Sequence, residues 1–171
     1  MAYSILNGKM ILAVDDEPDV LAILEEEILG AAPKCYFDKT TTYEKAIEFF
    51  ASFTYDLVIL DIMGVRGFDL LKRAVDRPSP FPVVMLTAHA LNPGALKQSI
   101  EMGARAYLPK EKLGEVVHFL EDVLRYENLP GWGRLLENLL GFFEARWGGN
   151  WKKTDEGFWK DFDEKIAFIK K

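Results

Sequence analysis

Short apolar runs alternate with amphipathic stretches over the first 125 residues. Residues 10–14, 34–38, 56–60, 83–87 and 105–108 read as strands, and the run LVIL within 56–60 is branched and apolar throughout, the mark of a strand buried on both faces. Between them the apolar positions return at helical spacing. Val20, Leu21, Leu24, Ile28 and Leu29 follow Pro18, which suits a first helical turn. Thr41 or Thr42 can cap a helix carrying Ala46, Ile47, Phe49 and Phe50. Phe68, Leu70, Leu71 and Val75 predict a third helix ending before Pro78. A fourth starts at Pro93 and runs to about Met102, with Gly103 as its stop. A fifth spans 112–125, with Leu113, Val116, Val117, Leu120 and Leu124 on one side.

Five strand–helix pairs in this length predict an α/β three-layer sandwich. Right-handed crossovers then give a five-stranded parallel sheet with helices on both faces. The order 2-1-3-4-5, the flavodoxin-like arrangement, places the first and third strands side by side at the centre.

The last 46 residues, 126–171, follow a different pattern. All four tryptophans lie here (Trp132, Trp147, Trp151, Trp159), with Tyr126, Phe142, Phe143, Phe158, Phe162 and Phe168. Helical spacing predicts one helix over about 132–147 and another over about 155–169, broken by Gly148, Gly149 and Asn150, with Asp155 as the second cap. The chain thus divides into a unit at 1–125 and an aromatic-rich two-helix extension at 126–171, too small to bury ten aromatic rings alone. Those rings pack on the first unit, pair with a second copy in a homodimer, or anchor a partner protein.

Composition narrows the classes. The net charge of -6 lies in the first unit, because the extension balances eight basic against eight acidic residues. No basic stripe or basic recognition helix marks a DNA-binding surface. No apolar run reaches membrane-spanning length, and the opening MAYSILNGKMILAVDDE is a poor signal peptide, so a cytoplasmic protein is expected. Cys35 is the single cysteine and reads as a structural thiol.

Chemistry gathers where the strands stop. Asp15 and Asp16 follow the first, Asp61 the third, Thr87 the fourth and Lys110 the fifth. In an open parallel sheet these carboxyl ends form one edge, where ligands bind. Three close carboxylates repel one another and call for a counter-ion. Mg²⁺ suits hard oxygen ligands, and Mn²⁺ is also acceptable. Zinc ligation finds no Cys/His set, since His89 and His118 are the only histidines. A carboxylate at Asp61 can attack phosphorus, with the Lys110 ammonium and Thr87 hydroxyl on phosphoryl oxygens. Neither GxxxxGK[ST] nor GxGxxG occurs, which argues against a bound nucleotide. A metal-dependent phosphatase would need an acid–base residue two positions past the nucleophile, where this chain has Met63.

The elements VDDEP, LVILD, VVMLTA and AYLPK closely resemble the receiver domain of two-component response regulators, CheY-like, over about residues 9–125. The resemblance implies that Asp61 takes a phosphoryl group from a sensor histidine kinase or a histidine phosphotransfer protein, and that the acyl phosphate then hydrolyses slowly. It implies that Asp15, Asp16, Asp61 and the backbone carbonyl of Met63 hold Mg²⁺. It gives Thr87 and Tyr107 the switch roles, with the aromatic moving inward and altering the face made by the fourth helix, fifth strand and fifth helix. Three features depart from the family pattern. The loop Ile62-Met63-Gly64-Val65-Arg66-Gly67 lacks the usual Met-Pro pair and brings its glycine about two residues early. Glu111 stands where proline usually follows the lysine, so a trans bond is expected there. These departures motivate an alternative: a receiver-like binding or dimerisation module without phosphotransfer.

Overall fold

The computed structural model describes residues 3–126 and 128–170. Five strands, β1 (Met10–Val14), β2 (Tyr36–Thr40), β3 (Leu57–Asp61), β4 (Val83–Thr87) and β5 (Ala106–Pro109), form one parallel sheet in the order β2-β1-β3-β4-β5. Five helices connect or follow them: α1 (Pro18–Ala31), α2 (Tyr43–Ser52), α3 (Gly67–Val75), α4 (Pro93–Glu101) and α5 (Val116–Arg125). They flank the sheet in the expected three layers. Every residue of β3 and β4 is buried, as their apolar runs require.

Local chemistry explains most element ends. Thr42 rather than Thr41 caps α2, its hydroxyl accepting from the Lys45 amide at 3.2 Å. Asn92 caps α4 the same way through the Ala95 amide at 2.8 Å. The second strand begins two residues later than the apolar run indicates. As an edge strand it reads YFDKT, half polar, while Cys35 turns inward just before it and donates from Sγ to the Lys9 carbonyl at 3.4 Å. The fifth helix is preceded by a 3₁₀ turn over Lys110–Glu115.

The extension forms α6 (Asn128–Trp147), a short 3₁₀ turn at Trp151–Asp155, and α7 (Glu156–Lys170). The helix α6 starts four residues earlier than its periodicity predicts. Pro130 falls within its first turn, where a missing amide proton breaks no helical bond. Asp155 caps α7 through the Phe158 amide, as expected. This extension packs on the receiver-like sheet: α6 lies against α5 and β5, and the 3₁₀ turn meets α4. Trp132 is fully buried and donates from Nε1 to the Ala104 carbonyl at 3.0 Å. Trp147 donates from Nε1 to the Leu91 carbonyl at 3.1 Å. Phe143 and Trp147 stack at 4.4 Å between ring centres, and Trp151 and Trp159 continue the cluster edge-to-face. Ion pairs Lys97–Asp155 and Arg146–Glu111 tie its rim. Most of the ten aromatics are therefore consumed within the chain, although Phe168 stays exposed.

Candidate functional site

The sheet order brings the central strand ends together. Asp15 follows β1 directly, and its Oδ1 accepts from the Glu17 amide at 2.9 Å, which turns the chain into α1. Asp61 ends β3 and is 3% exposed, while Asp16 faces solvent. One carboxylate oxygen from each of Asp15, Asp16 and Asp61 lies within 4.8 Å of the others. Lys110 enters from the end of β5. Its Nζ stands 2.8 Å from Asp15 Oδ2, 2.8 Å from Glu17 Oε1 and 3.5 Å from Asp61 Oδ1.

The electrostatics follow from burial. Desolvation raises the Asp61 carboxyl to about 7; the negative charge of Asp15 adds to the rise, Lys110 opposes it, and Asp16 raises it further. Burial also raises Asp15, against the pull of Lys110 and the Glu17 amide. Desolvation disfavours the Lys110 ammonium, but its pairing with Asp15 and Glu17 and the charge of Asp61 outweigh that and hold it above the ordinary lysine value.

These features fit a hard divalent cation. Asp15 Oδ2 is sealed from solvent and, among the described residues, meets only the Lys110 ammonium, as an ion pair at 2.8 Å outside hydrogen-bonding geometry. An oxygen so placed asks for a ligand, and three converging carboxylates supply the donor set of a magnesium-type site. The cluster can coordinate a metal ion, in keeping with the phospho-accepting aspartate site typical of receiver domains.

The loop after Asp61 explains its own glycines. Gly64 has φ +91°, and a Cβ there would stand 2.4 Å from Asp16 Cγ. A Cβ on Gly67 would stand 2.2 Å from the Asp61 carbonyl oxygen. The loop therefore packs against the acidic cluster at backbone distance, which only glycine permits. Met63 lies within it with an exposed side chain, 52% accessible. Arg66 turns away from the cluster, pairing with Asp69 and lying over the Tyr43 ring at 4.2 Å.

Thr87 and Tyr107 sit beside the same sheet edge. The Thr87 hydroxyl accepts from the Ala90 amide at 2.8 Å, one register step beyond Leu86, which pairs with Asp61. Tyr107 is wholly buried; its hydroxyl donates to the Ala90 carbonyl at 2.7 Å and accepts from the Asn92 amide at 3.1 Å. Burial raises its phenol above the usual tyrosine value. His89 is exposed on the intervening loop. The Lys110–Glu111 bond is trans, as expected.

Two contributors were not singled out in the sequence. Glu17 supplies a carboxylate to Lys110, which pulls its own pKa down. Its place inside DDEP was visible, but nothing there marks a partner 93 residues away. Gly64 was legible as a loop glycine, not as the floor under Asp16.

Among the described residues no helix is long and apolar enough to cross a membrane. Residues 11–121 match the response regulator receiver domain family. The chain is 32% identical over 123 residues to the DNA-binding transcriptional regulator NtrC of Escherichia coli, covering 68% of this chain and 25% of that protein. It is 35% identical over 134 residues to a two-component response regulator of Arabidopsis thaliana, covering 75% of this chain and 20% of that one. The chain thus spans about a quarter or less of the curated relatives it matches. Among solved structures, NtrX from Brucella abortus superposes with a TM-score of 0.60 at 25% identity, covering 68% of this chain and 27% of that chain. A response regulator from Thermotoga maritima gives 0.62 at 17% identity over 69% of this chain and 98% of that one, a likeness of fold alone. With the acidic cluster on the sheet edge and the family matched across all five strands, this chain belongs to the response regulator receiver domain family.

Proposed function

We propose that Asp61 is a phosphoryl acceptor and that the chain is a phosphorylation-controlled signalling protein acting through protein contacts. The observation that carries this reading is the convergence of Asp15, Asp16 and Asp61 within 4.8 Å, with Lys110 Nζ 3.5 Å from Asp61. The donor is a phosphohistidine on a sensor histidine kinase or a phosphotransfer protein. An Asp61 oxygen bonds to phosphorus as the P–N bond breaks, and the departing imidazole takes a proton. The Lys110 ammonium neutralises a phosphoryl oxygen and Thr87 donates its hydroxyl hydrogen to another. Asp15, Asp16, Asp61 and the Met63 carbonyl would hold Mg²⁺, with Mn²⁺ as a substitute. That ion, when bound, offsets negative charge on the carboxylates and the phosphoryl group. Water later cleaves the acyl phosphate, returning the carboxylate and inorganic phosphate. Thr87 and Tyr107 relay the change to the α4–β5–α5 side.

Residues 1–125 form the receiver, and 126–171 extend its core rather than fold alone. The burial of Trp132, Trp151 and Trp159 supports this. A homodimer through the extension has the exposed Leu140, Phe168 and Ile169 to work with among the described residues. A cytoplasmic location suits a phosphohistidine donor. DNA binding, named for the Escherichia coli relative, is not extended to this chain, which matches 25% of that protein.

The tight 62–67 loop favours one second reading, a binding module that has lost phosphotransfer. Incubation with Mg²⁺ and acetyl phosphate, followed by intact-mass measurement, separates the two. One added phosphoryl group, absent in Asp61→Asn, is the expected result. An unmodified wild-type protein that also ignores beryllofluoride sinks the phosphoryl-acceptor reading.

A further inference from the structure

Three contacts of the extension, one to a backbone carbonyl and two to side chains, fall on residues that surround the candidate site. Trp147 Nε1 grips the Leu91 carbonyl in the 88–92 loop. Phe143 covers the Tyr107 ring at 6.2 Å between centres. Arg146 holds both Glu111 carboxylate oxygens at 2.6 Å, one residue past Lys110.

The 88–92 loop in turn fixes Thr87. The Ala90 amide donates to the Thr87 hydroxyl, while the Ala90 carbonyl takes the Tyr107 hydroxyl hydrogen. A threonine oxygen that accepts one bond still has its own hydrogen to give. Among the described residues no acceptor takes that hydrogen. The loop therefore orients Thr87 Oγ and leaves its donor free. Two clamps keep the loop in that position: Tyr107 from within the sheet and Trp147 from the extension. Tyr107 itself is fully buried, with Phe143 over its ring.

From this geometry we propose that the docked α6 helix preorganises the phosphate site, so that docking of the extension and binding of a phosphoryl group at Asp61 strengthen each other. The inference rests on the phosphoryl-acceptor reading and adds a named intramolecular partner to it. Docking removes from the binding step the ordering of loop 88–92 and Thr87. Coupling of this kind is reciprocal: what the extension does for the ligand, the ligand does for the extension. The 3.1 Å indole bond and the Phe143–Trp147 stack are the physical link.

The test uses the full chain with Mg²⁺ and beryllofluoride, a phosphoryl mimic, titrated by calorimetry. Trp147→Phe keeps most of the stack and deletes the bond to Leu91. Phe143→Ala uncovers Tyr107. Phe168→Ala, exposed and remote, is the control. Expected is binding weakened about tenfold in the first two, within the usual range of coupled sites, and unchanged in the control. In wild type, beryllofluoride should slow amide hydrogen exchange across 128–147. Equal or tighter binding in Trp147→Phe, which conserves the core, overturns the inference, as does exchange that ignores the ligand. A wild-type protein that binds no beryllofluoride overturns the phosphoryl-acceptor reading and this one with it.

Discussion

Replacing Trp132 by alanine tests whether the extension is part of the receiver's core. The indole is fully buried, and its Nε1–H satisfies the carbonyl of Ala104, a residue with no exposed surface. Removing a buried tryptophan side chain costs about 3–5 kcal/mol. The orphaned carbonyl pushes the loss toward the top of that range, since an unsatisfied buried acceptor carries roughly 1–3 kcal/mol. Total stabilities of domains this size lie near 5–15 kcal/mol, so a third or more of the margin should go. At roughly 2–4 °C per kcal/mol the melting temperature should fall by about 10–20 °C. Trp132→Phe keeps most of the ring but loses the bond, and should cost about 1–3 kcal/mol. Urea unfolding followed by far-UV circular dichroism, alongside hydrogen exchange in β3 and β4, measures both. If the extension shares the core, the strand amides lose protection in step with the global transition. Strands that keep wild-type protection while helical signal is lost in an earlier, separate step would refute the shared-core argument.

Three other changes have defined outcomes. Gly67→Ala pushes a methyl against the Asp61 carbonyl, 2.2 Å away, so Mg²⁺ affinity should drop together with a stability loss of about 1–3 kcal/mol; titration and urea curves matching wild type would contradict the packing described. Asp61→Asn should stabilise the metal-free protein above pH 7. The folded carboxyl is held up at about 7 against an unfolded value near 3.8, so the native state binds the proton more tightly and wild type loses stability as pH rises between them. The mutant's advantage, a few kcal/mol as an order of magnitude, should vanish toward pH 4, and thermal melts showing the reverse trend would sink the assignment. Cys35, buried and pushed up to about 11 by desolvation, should resist iodoacetamide in the native state and react on unfolding; rapid native alkylation would contradict its placement.

The parts of this fold legible in the sequence are those where one physical constraint dominates. LVILD reads as a central strand because burial on both faces leaves no polar position before Asp61. The sheet order and the clustering of Asp15, Asp16 and Asp61 follow from it. Where two constraints compete, the pattern misleads by a few residues. Edge strand β2 carries Asp38 and Lys39, so the apolar Cys35 pulls the apparent start too early. Pro130 and its neighbouring glycines hide the first turn of α6. The docking of the extension was open on sequence grounds, because an aromatic stripe has the same spacing whether it meets its own chain or another. Glu111 shows the limit most clearly. As a departure from the family pattern it motivates the alternative of a module without phosphotransfer. In the fold it is the acidic partner of Arg146, 35 residues on, a pairing that no periodicity encodes.

All four indoles of this protein lie beyond residue 126, and three of them meet edge-to-face at 5.0 and 5.3 Å. Ultraviolet emission excited at the tryptophan band therefore comes from the extension alone, with the five strands optically silent. Any movement of α6 against its seat becomes readable in unlabelled protein, in real time and at low concentration, without a dye or an engineered cysteine.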